Sequence, residues 1–80
     1  MKISQAVVKR ILELCKERNL TVNALSNISG VTQSTVNDII SGKTANPGIA
    51  TIKKLCDGLN ISICDFFNCR LFSNLEQEIK

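Results

Sequence analysis

The sequence has no histidine, a single proline, four glycines, and no apolar run near the roughly 20 residues that a membrane-spanning helix needs. Without histidine, the commonest general base and a usual zinc ligand are both missing. The four cysteines, Cys15, Cys56, Cys64 and Cys69, are separated by 41, 8 and 5 residues and include no CxxC pair, so a zinc site lacks support. Nor is there a glycine-rich phosphate loop, a nucleophile spaced from a base, or a pair of carboxylates in an evident pocket. These absences argue against an enzyme and against any cofactor. The start, Met1-Lys2-Ile3-Ser4-Gln5, leads into charged, helix-patterned sequence and not into a secretory apolar core. A cytoplasmic chain with no membrane partner and with reduced thiols is therefore expected, and the cysteines set among Leu, Ile and Phe are expected to pack as small hydrophobes. Eighty residues leave no room for a separate sensor domain, which argues against a small-molecule ligand.

What is present is a folding composition, 44% hydrophobic and 21% charged, with no internal repeat or low-complexity segment. A chain this short buries only about 60% of its unfolded surface, so a homodimer is plausible from size alone. The net charge of +3 is uneven: residues 1–54 carry eight Lys/Arg against three Asp/Glu, and residues 55–80 carry two against four. A basic front half suits a phosphate-bearing partner, although solvated helix faces commonly look the same.

Sparse punctuation divides the chain into short helical segments. Val7, Val8, Ile11, Leu12, Leu14 and Cys15 recur at helical spacing and predict an amphipathic helix over about residues 4–18. Thr21 is a candidate cap for a second helix containing Val22, Leu25 and Ile28, which Gly30 ends. Thr32 is a candidate cap for a third, with Val36, Ile39 and Ile40 on one side and Gln33, Ser34, Asn37 and Asp38 on the other. After the irregular loop from Ser41 to Gly48, residues Ile49, Ile52, Leu55, Cys56 and Leu59 predict a fourth helix, closed by Gly58 or Asn60. Ser62 can cap a fifth, holding Ile63, Cys64, Phe66 and Phe67. Beyond Asn68, Ser73-Asn74-Leu75-Glu76 fits a capping box and predicts a short sixth helix.

Two short helices joined through Ser29-Gly30-Val31 make a helix-turn-helix, the second helix presenting amides and hydroxyls outward. The major groove of B-DNA admits one α-helix, and such groups can donate to and accept from base edges there. Gln33 can bond adenine at N6 and N7, Asn37 lies one turn further along the same face, and Asp38 can accept from cytosine N4 while repelling phosphates. By spacing alone, a polar face that is merely solvated is the better reading.

Longer stretches shift that balance. Leu20-Thr21-Val22-Asn23-Ala24-Leu25-Ser26, then Ser29 through Ile39, Gly42-Lys43-Thr44, Asn46-Pro47, Thr51 through Cys56 and Leu59 through Phe67 together resemble the Cro and phage-repressor (XRE) helix-turn-helix family. The resemblance spans roughly residues 5–67. It implies an all-α fold, a five-helix lambda-repressor-like helix-turn-helix bundle with the short sixth helix appended. Residues 1–68 would form the DNA-binding domain, and residues 69–80 a tail available for dimer contact. The implied function is a sequence-specific transcriptional regulator that binds double-stranded DNA at a palindromic operator as a homodimer. Carried over position by position, the base-reading set is Gln33, Ser34 and Asp38, with Asn37 adjacent. The phosphate set is Thr35, Lys43 and Thr44, joined by Thr32 and Asn46, while Thr21 and Asn23 stand in for a glutamine that relatives place where this chain has Val22. Relatives also pair an arginine and a glutamate at the positions of Cys15 and Ile40, so these two apolar residues are expected to touch in the core. The alternative reading is an antitoxin-like protein-interaction module that engages its partner through Leu71, Phe72, Leu75 and Ile79.

Overall fold

Each helix begins and ends where local chemistry favours it. In the computed structural model, which describes residues 1–44 and 46–79, helix α1 runs Ile3–Glu17 and buries Ala6, Val7, Ile11, Leu14 and Cys15 along one stripe. Ala45 in the third loop and Lys80 in the tail, both within segments read from the sequence, lie outside the described residues. Helix α2 (Val22–Ser29) starts where the Thr21 hydroxyl oxygen accepts the Ala24 N–H at 3.0 Å, and it ends at Gly30 in the left-handed region, φ 70°. Helix α3 (Gln33–Ile40) follows its Thr32 cap. Helix α4 (Ile49–Leu59) closes on Asn60 at φ 59°, and α5 (Ile63–Phe67) is capped by Ser62, whose hydroxyl accepts the Asp65 N–H at 2.9 Å. The five-helix, all-α architecture is the expected one, with no strand among the described residues.

One core serves all five helices: Ile11 and Leu14 of α1, Leu25 of α2, Val36 and Ile39 of α3, Ile52, Leu55 and Cys56 of α4, and Phe66 of α5. Cys15 is buried in it, and Ile40 packs against it while also facing Gln5, Val8 and Lys9 across a shallow depression. Helix α2 packs most extensively on α4, and the reason is Gly58. A Cβ at this position would stand 2.8 Å from the Ser29 Cα and 2.9 Å from the Ile28 carbonyl oxygen. Gly58 is thus a close-packing residue inside α4, and Asn60 alone supplies the left-handed exit.

Arg10, read from the sequence as one of the charges interleaved on the first helix, turns inward. Its Nε donates to the Phe66 carbonyl at 2.7 Å, one terminal nitrogen donates to the Asp65 carbonyl at 2.8 Å, and the other meets Glu13 at 2.6 Å. The guanidinium therefore holds α1 to the last carbonyls of α5, where a cation is favoured.

The tail differs from expectation. The sixth helix does not form at Ser73; a single 3-10 turn, Arg70–Phe72, precedes it and the chain beyond is irregular. Phe72 packs edge-on to Phe67, ring centroids 4.9 Å apart, and draws the tail back onto α1. There the Glu76 N–H donates to the Met1 carbonyl at 3.0 Å and the Glu76 carboxylate pairs with the terminal amine at 3.6 Å, so the glutamate that would complete the capping box is engaged elsewhere. Leu71 and Leu75 are half-buried, and only Ile79 of the apolar tail residues is exposed.

Cys64 is also a correction: it is exposed, because two residues of helix rotate it about 200° from the buried Phe66. Burial pushes the Cys15 and Cys56 thiols above their ordinary pKa, opposed by Arg18 and Lys53 respectively. The folded state thus keeps these protons longer than the unfolded chain does. Their contribution to stability is full below the ordinary thiol range and is lost as pH rises past about 9. A thiol-reactive reagent is expected to modify Cys64 rapidly and Cys15 and Cys56 only on unfolding, and the urea midpoint is expected to fall above about pH 9.

Gly58→Ala gains up to about 1 kcal/mol of helix propensity but incurs roughly 1–3 kcal/mol of overpacking. Because the clash is with main-chain atoms, a net loss of about 1–2 kcal/mol is expected, read as a lower urea midpoint at unchanged slope.

Candidate nucleic-acid interface

The turn between α2 and α3 sets the geometry of the site. Gly30 reverses the chain, and Ser26, the one buried polar residue described, donates its hydroxyl to the Val31 carbonyl at 2.5 Å. Val31 is itself buried, so the turn is fastened at both a polar and an apolar point. Thr32 then accepts the Thr35 N–H at 3.2 Å and donates its own proton to the Thr35 hydroxyl oxygen at 2.8 Å. That arrangement ties the two hydroxyls together at the first turn of α3.

Fully buried Val36 and nearly buried Ile39 hold the inner side of α3, and Gln33, Ser34, Thr35 and Asn37 are exposed. At about 100° per residue, Ser34 points most directly away from the core, with Asn37 and Asp38 flanking it. Asp38 is half-buried, and its carbonyl accepts the Thr44 N–H at 3.0 Å, tying the end of α3 to the following loop. Gly42, at φ 83°, turns that loop. Lys43 and Asn46 are exposed beyond it and Thr44 is half-buried. Thr21 and Asn23 are exposed at the start of α2, whereas Val22 packs against the core.

The base-reading candidates thus share one continuous ridge on α3. The phosphate candidates divide into three groups: Thr21 and Asn23 at the start of α2, Thr32 and Thr35 at the start of α3, and Lys43, Thr44 and Asn46 in the loop after α3. Such a ridge, flanked by hydroxyl, amide and ammonium donors, can read base edges while its flanks engage the backbone. Ser26 was given no role by sequence reasoning, since a hydroxyl inside a short helix carries no signal of the carbonyl it will reach five residues later.

A helix-turn-helix with its second helix bare on the outer side is a DNA-reading architecture, and residues 11–66 match the helix-turn-helix family, to which the chain belongs. Two proteins of Bacillus subtilis (strain 168) are similar over 53 residues, 66% of this chain: the uncharacterized HTH-type transcriptional regulator RghRB, 42% identical, and the HTH-type transcriptional repressor RghR, 43% identical. The chain covers only 38% and 39% of their respective lengths. The crystal structure of the prophage Lp1 protein 11 superimposes with a TM-score of 0.80 at 37% identity, covering 94% of this chain and all of that one. No helix among the described residues is long and apolar enough to cross a membrane.

Ser26→Ala leaves the buried Val31 carbonyl without its donor and is expected to cost about 1–3 kcal/mol. Hydrogen exchange checks the location: amides of α3 are expected to lose more protection than those of α1.

Proposed function

We propose that this chain is a sequence-specific DNA-binding transcriptional regulator that acts by occupying its operator, with α3 in the major groove. The observation that carries this is the exposed amide and hydroxyl ridge of Gln33, Ser34 and Asn37 on a helix whose other side is locked in the core. Gln33 and Asn37, with Ser34 and Asp38, read bases; Lys43, Thr44, Asn46, Thr35, Thr32, Thr21 and Asn23 fix the register on phosphates. Family membership and the names of the similar proteins support the same reading.

The working form is a homodimer on a palindrome, because one short helix covers too few base pairs for selectivity and two helices set about 34 Å apart reach successive major grooves. An apolar face supports this. Ile49 is 70% exposed beside a cleft of about 450 Å³ that it lines with Ile3, Val7, Pro47, Ile52 and Phe67, Ser4, Asn46 and Gly48 forming the rest of the lining, so projection and recess lie side by side as a two-fold contact requires. Residues 69–79 fold onto α1 in this reading and leave the partner mainly Ile79.

Selection of bound duplexes from a random pool is expected to return a palindrome, with affinity falling steeply as salt rises. Gln33→Ala and Asn37→Ala are each expected to cost about 1–3 kcal/mol on the selected duplex and to relax preference at one position per half-site. Binding without sequence preference at every salt concentration would reject the proposal.

A further inference from the structure

The first turn of α1 lies outside the stretch that matches the family, yet it stands against the loop that follows α3. Between them opens a depression of about 270 Å³ lined by Lys2, Ser4, Gln5, Val8, Gly42 and Thr44. Its polar side chains are donors. Lys2 brings an ammonium, and Ser4 and Thr44 bring hydroxyls. The Gln5 carbonyl oxygen already accepts the Lys2 main-chain N–H at 2.9 Å, which leaves its NH2 hydrogens to donate. Among the described residues no carboxylate lines the depression: Asp38 meets Thr44 through its main-chain carbonyl, and the Glu76 carboxylate, held beside Met1, pairs with the terminal amine. Lys9 borders the adjoining depression beside Gly42.

The pairing of charges points the same way. Arg10, Arg18, Lys53 and the terminal amine each have a carboxylate partner; Lys2, Lys9, Lys16, Lys43, Lys54 and Arg70 have none among the described residues, and of these Lys2 lines the depression and Lys9 the adjoining one. The Lys2 ammonium in a recess lined with hydroxyl and amide donors, with Lys9 in the adjoining depression and Lys43 next in the chain to Gly42 and Thr44, makes a site for an anion of several oxygens.

We propose that this corner binds a backbone phosphate of duplex DNA, adjacent to the one met by Lys43 and Thr44, with Lys2 supplying the charge, Ser4 and Gln5 the neutral hydrogen bonds, and Lys9 reinforcing the field. The inference rests on the DNA-binding reading above and extends the interface from the helix-turn-helix onto α1. Only the folded chain brings Lys2 and Thr44 together.

The test is a salt titration of fluorescence anisotropy with the full chain and the duplex selected from the random pool. Lys2→Gln is expected to reduce the slope of log K against log salt by about 0.9 and to weaken binding about eightfold at 0.1 M salt, with base preference unchanged. Lys2→Gln with Lys9→Gln is expected to reduce the slope by up to about 1.8. Lys53→Gln is the control, because Asp57 already holds that ammonium on the exposed side of α4. A wild-type slope in a Lys2→Gln protein with wild-type circular dichroism and thermal midpoint overturns the inference and leaves the DNA-binding reading standing. An equal loss in Lys53→Gln also overturns it, since the effect would then be one of net charge. A wild-type chain without salt-dependent binding overturns both.

Discussion

A helix of eight residues does not hold its shape in water, where even good helix formers need about 12–15 residues to be marginally stable. Helix α3 has that length, so its conformation is a product of what grips it. Val36 and Ile39 are sunk in the core, the Thr32 cap fixes the first turn, Ser26 fastens the preceding Val31, and the Thr44 N–H ties off the end through the Asp38 carbonyl. Every one of these restraints acts on the inner side or the ends. Among the described residues the exposed amides of Gln33 and Asn37 make no intramolecular bonds, so the outer side is held rigid without being used. Fixing side-chain carriers before binding lowers the ordering cost at the moment of association.

That grip depends in turn on contacts further back in the fold. Helix α2 can carry the turn only because it lies close on α4, and the closeness requires the hydrogen atom at Gly58. Helix α1 spans the bundle and is joined to α5 by two of the three Arg10 nitrogens, the third being held by Glu13 of α1 itself, and the tail then returns across α1 through Phe72 and Glu76. Buried thiols at Cys15 and Cys56 fill the space between these elements as neutral groups, which burial keeps protonated.

Charge is sorted by the same packing. The basic excess of residues 1–54 is a property of composition, but the fold decides which of those cations a phosphate meets. Arg10 and Arg18 are turned to glutamates and Lys53 to Asp57, so the unpaired field of the front half comes from lysines. Lys43 is carried by the loop after α3, and Lys2 and Lys9 are brought alongside it by the first turns of α1. A lysine at such a position acts as a point charge without orientation, which suits holding a backbone and not reading a base.

Amino-acid order alone determined the parts whose causes lie within four residues along the chain. The caps at Thr21, Thr32 and Ser62, the left-handed exit at Gly30, most of the apolar stripes (Leu12, Ile28 and Ile49 excepted, which are exposed), and the division of α3 into an apolar and a polar side were legible because capping bonds and helical periodicity are local. Resemblance to a family then gave the polar side its meaning. Tertiary structure alone decided the rest. Gly58 looks like a helix end until α2 lies against it, Cys64 looks apolar until the rotation of α5 is set by Phe66, and the Ser73–Glu76 pattern looks like a helix start until Glu76 meets Met1. Arg10 finds carbonyls 55 and 56 residues away, and Lys2 finds Thr44 across the bundle. These encounters leave no periodic trace, because they depend on how separate elements pack in space and not on spacing along any one of them.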